Sequence, residues 1–90
     1  MSSWRVEFSD DAKRDFLKLD LSVRSQVIER LSWLADNFEN ITPLPLHHEL
    51  KGFFKIRVGN WRVAYAFDST KSEIKVHMIK NRNKAYKRRR

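Results

Sequence analysis

The chain from Leu50 to Tyr65 alternates apolar and cationic residues across a Gly59-Asn60 turn. Successive side chains of a β-strand point to opposite faces of a sheet, so this pattern predicts a hairpin with one apolar face. The apolar face carries Phe54, Ile56, Val58, Trp61, Val63, Tyr65 and Phe67. The other face carries Lys55, Arg57 and Arg62 without a carboxylate among them. Such a sheet has to bury its apolar face, and it leaves a cationic face that suits a polyanion.

Charge is segregated along the chain. The sequence holds 19 Lys and Arg residues against 11 Asp and Glu residues, for a formal net charge of +8. Residues 1–50 carry a net charge of −3, whereas residues 51–90 carry +11 and contain no acidic residue after Glu73. Solubility does not require such segregation, which favours binding to nucleic acid or another anionic surface through counterion release. An acidic protein partner is a further interpretation of the same charge.

The N-terminal half has the pattern of a strand followed by two helices. Trp4, Val6 and Phe8 alternate with charged residues and predict a first strand. Ser9 is a candidate N-cap for a short helix whose first turn is acidic. A longer helix is predicted over residues 21–38, where apolar residues recur at intervals of three and four.

The C-terminal half predicts three strands. Residues 40–46 contain Pro43 and Pro45, which are incompatible with a helix or a central strand, and therefore predict a linker. The strands are expected at 52–58, 61–68 and 73–80, and a terminal helical turn at 83–88. The Gly59-Asn60 turn joins the first two strands, and a turn over 69–72 joins the last two.

The predicted order is β-α-α-β-β-β, an α+β fold in which an antiparallel sheet is backed by two N-terminal helices and ends in a short helical turn. We expect a single domain over residues 1–90, with a basic tail at 87–90. The sequence has no cysteine and no apolar run typical of a signal peptide or a membrane span. We therefore expect a cytoplasmic protein that binds no metal, no small-molecule cofactor and no membrane.

Three segments resemble the RelE/ParE toxin superfamily: LKG at residues 50–52, KIRVGNWRVAY at 55–65 and KNRNKAY at 80–86. The resemblance covers nearly all of the chain. Members of this superfamily are small toxins of bacterial toxin–antitoxin pairs. RelE-like members cut messenger RNA in the ribosomal A site, whereas ParE-like members poison DNA gyrase and lack the RNA-cutting residues.

The RelE-like pattern implies a set of site residues. The implied catalytic residues are Lys55, Arg57, Arg62, Arg82 and Tyr86. The residues expected to bind the RNA backbone are Lys51, Lys80, Lys84, Lys87 and Arg88. Arg57 stands where some relatives have lysine, and the tail lacks the carboxylate and histidine that other RNA-cutting relatives use. The chain therefore resembles the basic version of the RelE-like site.

These residue types suit RNA cleavage without a metal. The 2′-hydroxyl has to lose a proton and attack the adjacent phosphorus, while negative charge grows on the phosphate and the 5′-oxygen leaves. Arg62 is the expected phosphate clamp, assisted by Arg57 and Arg82, because a guanidinium can bind two phosphate oxygens at once. Lys55 lies among like charges that should lower its pKa, which makes it a candidate general base. Tyr86 is expected to stack on a base.

Several assignments stay open at this stage. Tyr86 and His48 are alternatives to Lys55 as the base, and His48 is a candidate acid for the leaving oxygen. Ala64 and Ala66 would leave space for a substrate above the sheet, or would reflect close packing. The aromatic residues near the hairpin suit a core or an interface better than base stacking. They are Phe53, Phe54, Trp61 and Tyr65.

The sequence therefore predicts a toxin of a type II toxin–antitoxin system that inhibits translation by ribosome-dependent cleavage of messenger RNA. The expected partners are messenger RNA in the A site, 16S ribosomal RNA and a cognate acidic antitoxin. A gyrase inhibitor of the ParE type and a nucleic-acid-binding module without cleavage are the alternatives. The filled set of cations and Tyr86 argues against the first alternative.

Overall fold

The computed structural model describes residues 4–45 and 52–81. The helices and strands in these ranges are β1 (Arg5–Phe8), α1 (Asp10–Leu17), α2 (Leu21–Asn37), β2 (Leu44–Pro45), β3 (Phe54–Val58), β4 (Trp61–Asp68) and β5 (Glu73–Asn81). A short 3-10 turn follows α2 at Phe38–Asn40. The predicted long helix and the three predicted C-terminal strands are confirmed to within two residues at each end. The predicted helical turn at 83–88 lies outside the described residues.

Helix α1 begins as its sequence predicts. The backbone of Ser9 is extended, and its hydroxyl oxygen accepts a hydrogen bond from the Ala12 amide at 3.1 Å. Asp10 and Asp11 lie in the first turn, where the helix dipole favours negative charge. The predicted N-cap is therefore confirmed, and it fixes where the chain turns from β1 into the helical layer.

The sheet has five strands in the order β1-β5-β4-β3-β2. Strands β2 to β5 are antiparallel neighbours, but β1 pairs in parallel with β5, so the sheet is mixed and not wholly antiparallel. The alternation of side chains carries no information on strand direction, which is why the sequence did not reveal this. The helical hairpin takes the chain from one edge of the sheet to the other and leaves the edge of β5 free for β1.

The proline-rich linker contains one short strand that the sequence analysis did not predict. Leu44 and Pro45 pair with Lys55 and Phe54 at the outer edge of the sheet. An edge strand tolerates proline because one side of its backbone has no partner strand. Beyond this two-residue ladder, no strand in the described part of the chain lies on the outer side of β3.

One face of the sheet is buried against both helices. The largest fully buried side chains are Tyr65, Leu34, Ile74, Val27, Val63 and Val76, which come from α2, β4 and β5. Phe38 closes one end of this core, with its ring centroid 4.9 Å from that of Phe67 and 6.2 Å from that of Tyr65. We call the opposite face of the sheet, which the helices do not cover, the open face. No described helix is both long enough and apolar enough to cross a membrane.

Burial of Tyr65 should make the protein less stable at alkaline pH. Burial raises the pKa of Tyr65 from 10.0 to about 12. Between these two pKa values the unfolded chain has lost the phenolic proton, whereas the native protein keeps it. The free energy of unfolding therefore falls as the pH rises from 10 to 12, and the contribution of Tyr65 is fully present below pH 10. The loss amounts to about 3 kcal/mol at most, since one unit corresponds to about 1.4 kcal/mol.

We expect Tyr65→Phe to lose less stability than the wild type between pH 10 and pH 12 when urea unfolding is measured at each pH. The two proteins have all their other ionisable groups in common, so the difference between the two curves isolates Tyr65. Parallel curves for the two proteins would contradict this assignment.

Candidate nucleic-acid interface

Three cations form a row across the open face. Arg57 of β3 is the cross-strand partner of Arg62 of β4, and Arg62 is the partner of Lys80 of β5. Neighbouring strands lie about 4.8 Å apart, so the row spans about 10 Å between its outer Cα atoms. Arg57 and Lys80 are exposed and Arg62 is half-buried. We call these three residues the cation row.

Lys55 lies beside the row on the same face. It is two residues from Arg57 on β3 and is paired with Ala64. The side chains of Lys55, Arg57, Arg62 and Lys80 form no ion pair and no hydrogen bond with another residue in the described ranges. Four positive charges therefore share a small area of the sheet without compensation from that part of the protein.

The nearest acids on the open face of β4 and β5 are at the far end of the sheet. Asp68 and Glu73 are cross-strand partners there. Asp68 is six residues from Arg62 along β4, or about 20 Å at about 3.3 Å per residue. Charges in water are screened over about 8 Å at physiological ionic strength, so these acids do not neutralise the row.

Asp68 forms hydrogen bonds with the residues of the turn that follows it. Its carboxylate accepts hydrogen bonds from the hydroxyl of Thr70 at 2.5 Å, from the Thr70 amide at 3.0 Å and from the Lys71 amide at 3.3 Å. These bonds, led by that of the Thr70 hydroxyl, lower the pKa of Asp68. The carboxylate thus stabilises the turn between β4 and β5, where Ser72 adopts a positive φ of 50°.

A β-bulge places Lys80 in the row. Ala64 is paired with Met78 and Tyr65 with Val76, so His77 is an extra residue on β5. Strict alternation from the buried Ile74 and Val76 would direct Lys80 towards the helices. The extra residue reverses the alternation, buries Ile79 at 2% exposure and brings Lys80 to the open face. Lys80 is among the residues expected from the sequence to bind RNA, but no sequence signal placed it opposite Arg62.

Helix α1 holds this bulge. The Ile79 amide donates a hydrogen bond to the Asp15 carboxylate at 3.0 Å. The Ser9 hydroxyl donates to the carbonyl of His77 at 3.3 Å, and the Ser9 amide donates to the carbonyl of Val76 at 2.9 Å. This role of Asp15 could not be recognised from the sequence, because an acid on an amphipathic helix has the pattern of a solvent-facing residue.

The two alanines of β4 lie beneath an aromatic pair. The rings of Phe53 and His77 meet edge to face, with centroids 4.7 Å apart. Phe53 precedes β3 and His77 is on β5, so the two rings meet across β4, near Ala64 and Ala66. Ala64 is only 4% exposed. Close packing therefore explains the small residues at this position better than a space for substrate.

The remaining predicted site residues lie outside the described residues. They are Lys51, Arg82, Lys84, Tyr86, Lys87 and Arg88, together with the alternative acid or base His48. The roles assigned to them stay predictions. Among the residues considered for stacking, Tyr65 is a core residue and Phe54 and Trp61 pack against the core, which agrees with the sequence analysis.

Comparisons with known proteins agree with this architecture. Residues 6–86 match the family described as the ParE toxin of type II toxin–antitoxin systems, parDE. The toxin–antitoxin complex RelBE2 from Mycobacterium tuberculosis contains a chain that is 28% identical, with a TM-score of 0.78, and the match covers 91% of this chain and 94% of that one. No curated protein sequence matches this chain significantly.

Two further structures show the same fold at lower identity. The isolated RelE toxin of E. coli is 20% identical, with a TM-score of 0.73 and coverage of 96% of this chain and 98% of that one. The archaeal RelE–RelB complex from Pyrococcus horikoshii OT3 contains a chain that is 19% identical, with a TM-score of 0.70 and coverage of 89% and 96%.

The fold and the family match define the class of this protein. It is a toxin of a type II toxin–antitoxin system. The chain belongs to the ParE toxin family within the RelE/ParE superfamily, and its structure has the RelE fold. The resemblance noted in the sequence is thereby confirmed at the level of the superfamily.

Loss of the Asp15 carboxylate should destabilise the bulge. Asp15→Ala leaves the Ile79 amide without its acceptor, and we expect a loss of about 1–3 kcal/mol in the free energy of unfolding. Asp15→Asn keeps an acceptor oxygen at the same position and should restore much of this loss. Amide hydrogen exchange at Ile79 should accelerate in Asp15→Ala and much less in Asp15→Asn.

Asp36→Ala is the matched control, because Asp36 is an exposed acid on α2. Its effect on stability should stay within about 0.5 kcal/mol. Equal effects of Asp15→Ala and Asp36→Ala would show that the bulge does not depend on Asp15.

Proposed function

We propose that this toxin inhibits translation by cutting messenger RNA in the ribosomal A site. The observation that carries the proposal is the cation row with Lys55 beside it, on a face that the helices leave uncovered. Such a cluster costs folding energy, since like charges directly opposite one another on a sheet are destabilising. Binding to a phosphate backbone relieves that repulsion and releases counterions, which gives the arrangement a function.

The chemistry follows from the cations. The 2′-oxygen forms a bond to phosphorus after losing its proton to a base, and the bond from phosphorus to the 5′-oxygen breaks as that oxygen gains a proton. The products are a 2′,3′-cyclic phosphate and a 5′-hydroxyl. Arg62 is central in the row and is assigned as the clamp on the non-bridging oxygens, where preorganised charge stabilises the transition state. Arg57 lies next to it and assists.

The sequence pattern extends this site beyond the described residues. Arg82 is assigned a second contact with the phosphate, and Tyr86 is assigned to stack on a base and align the sugar for in-line attack. Lys80, Lys51, Lys84, Lys87 and Arg88 are assigned to the RNA backbone. Phosphate contacts of this kind set affinity and register without reading the base sequence.

Replacing Arg62 should separate catalysis from folding. We expect Arg62→Ala to slow cleavage on programmed ribosomes by about 100-fold or more, because one preorganised charge at the transition state is worth about this factor. The measurement is single-turnover cleavage with mapped 5′ ends. Arg14→Ala is the matched control, since Arg14 is an exposed arginine on α1 that pairs only with the exposed Asp11 in the described structure. Equal rates for both variants would refute the clamp assignment.

Lys55 is assigned as the general base. We expect Lys55→Ala to lower the cleavage rate by about 100-fold or more, and Lys55→Arg to restore RNA binding without restoring the rate, because a guanidinium holds its proton too firmly to act as a base. Filter binding and single-turnover cleavage separate the two effects. Cleavage by Lys55→Ala at the wild-type rate would assign the base to another group.

Inhibition of DNA gyrase is the second candidate function. The match to the ParE toxin family over residues 6–86 favours it. Cleavage on ribosomes, measured beside an assay of DNA supercoiling by gyrase, distinguishes the two candidates. A folded wild type that leaves messenger RNA intact on ribosomes but inhibits supercoiling by gyrase would transfer the assignment to gyrase. Tight RNA binding without either activity would indicate a binding module that has lost cleavage.

An antitoxin is the expected protein partner. The structures from M. tuberculosis and P. horikoshii are complexes of toxins with their antitoxins. For this chain, with a net charge of +8, we propose an acidic antitoxin that is partly disordered when free. By laying a helix or a strand over the cation row, it would neutralise the charges that the RNA needs.

A further inference from the structure

A cavity of about 470 Å³ lies between α2 and the edge of β3, beside the cation row. Leu34 and Ile56 contribute apolar surface to it, and Trp33 and Arg30 of α2 line it as well. Its volume lies within the range of pockets that hold a small ligand or one residue of a larger one.

Trp33 gives the cavity a stacking surface. Its side chain is 42% exposed, although it is one of the largest apolar groups of the protein. The guanidinium of Arg30 lies 4.5 Å from the centroid of the indole ring. An indole held in this way offers a preordered plane for a flat, aromatic ligand, and an adjacent cation suits one that carries negative charge.

Tyr65 gives the cavity a hydrogen-bonding group that has no partner among the described residues. Tyr65 is 1% exposed and lines the cavity, and its hydroxyl makes no hydrogen bond with any described residue. Because Tyr65 lines the cavity, a ligand bound there would lie beside this side chain. A buried hydroxyl of this kind gains from a ligand that supplies the missing partner.

The charged residues that line the cavity in the described part of the chain are all positive. They are Arg30, Lys55 and Arg57. Lys55 and Arg57 also lie on the open face, beside and within the cation row. Strand β2 pairs only with Phe54 and Lys55, so the edge of β3 from Ile56 to Val58 has no strand beside it in the described structure. A chain bound to the row can therefore continue around this edge into the cavity.

We propose that the cavity binds one nucleobase of a single-stranded RNA segment whose backbone lies on the cation row. The base stacks on Trp33 and receives a hydrogen bond from, or donates one to, the hydroxyl of Tyr65, while Arg57 and Arg30 hold the flanking phosphate. The proposal rests on the proposed RNA-directed function and adds a second, base-binding subsite at the edge of β3. An acidic peptide would use the same cations, but a nucleobase next to a phosphate combines a flat ring, hydrogen-bonding edges and negative charge in one repeating unit.

The test compares two polyanions, one with bases and one without. The full chain is titrated with a short, fluorescently labelled 2′-O-methyl oligoadenylate, which cannot be cut by 2′-hydroxyl attack, and separately with inorganic polyphosphate. We expect Trp33→Ala to weaken binding of the oligoadenylate by about 10- to 100-fold, the effect of losing one stacked base. Binding of polyphosphate should not change, and Trp33→Phe should restore most of the affinity for the oligoadenylate.

Two further variants sharpen the result. Tyr65→Phe keeps the ring in the core and removes only the hydroxyl, and we expect it to weaken oligoadenylate binding several-fold. Ile28→Ala is the matched control, since Ile28 is a 47% exposed apolar residue of α2 that does not line the cavity. It should bind both polyanions as the wild type does.

The possible failures are distinguishable. If the wild type cuts messenger RNA on ribosomes but Trp33→Ala binds the oligoadenylate normally, the cavity proposal is overturned and the proposed function stands. Equal weakening of both polyanions by Trp33→Ala would likewise overturn base binding. A wild type that binds neither polyanion and cuts no RNA would overturn both proposals. If an acidic peptide binds at Trp33 and the oligoadenylate does not, the cavity would be assigned to a protein partner.

Discussion

The hydrogen bond from the Ile79 amide to the Asp15 carboxylate joins the helical layer to the strand that completes the cationic face. The bulge at His77 leaves backbone groups of β5 without partners on β4, and a buried amide without an acceptor is costly. Asp15 and Ser9 supply partners from α1. A shift of one residue exchanges the two faces of a strand. The bulge that these hydrogen bonds stabilise therefore decides whether Lys80 faces the core or the open face. The arrangement of charge therefore depends on how α1 packs.

The open face shows how a small domain can carry a site that opposes its own stability. Each pair of like charges across the sheet costs a few tenths of a kcal/mol to about 1 kcal/mol, and a domain of this size has little stability to spare. The protein concentrates its apolar contacts on the other face, where Tyr65, Leu34 and Val27 are almost completely buried. The apolar core and the cation row thus lie on opposite faces of one sheet. The division allows the cations to stay unpaired within the described structure.

Membership of the ParE toxin family and likeness to RelE structures are compatible, because the superfamily shares one fold. A fold by itself does not specify an activity, since different chemistries can be placed on one scaffold. The fold therefore does not distinguish cutting RNA from inhibiting gyrase, and individual side chains have to do so. Arg62 at the centre of the row, flanked by Arg57 and Lys80, is the feature of the described structure that favours a phosphate substrate. The cavity beside Trp33 adds a place where such a substrate could be held by a base as well as by its backbone.

The sequence alone was enough to predict the hairpin, its two faces and the start of α1. The period of two along residues 54–67 defined the hairpin, its buried face and the positions of Lys55, Arg57 and Arg62, because side-chain alternation is a local property of an extended chain. Ser9 marked the start of α1 for a similarly local reason. Strand direction, the short pairing of Leu44 and Pro45 and the place of Lys80 were decided only by the tertiary structure. Each depends on a partner distant in sequence: β1 needs the free edge of β5, and the bulge needs Asp15, which is 64 residues from Ile79. The sequence thus determined which charges the protein carries on its hairpin, and packing between α1 and β5 decided that a third strand would extend them into a row.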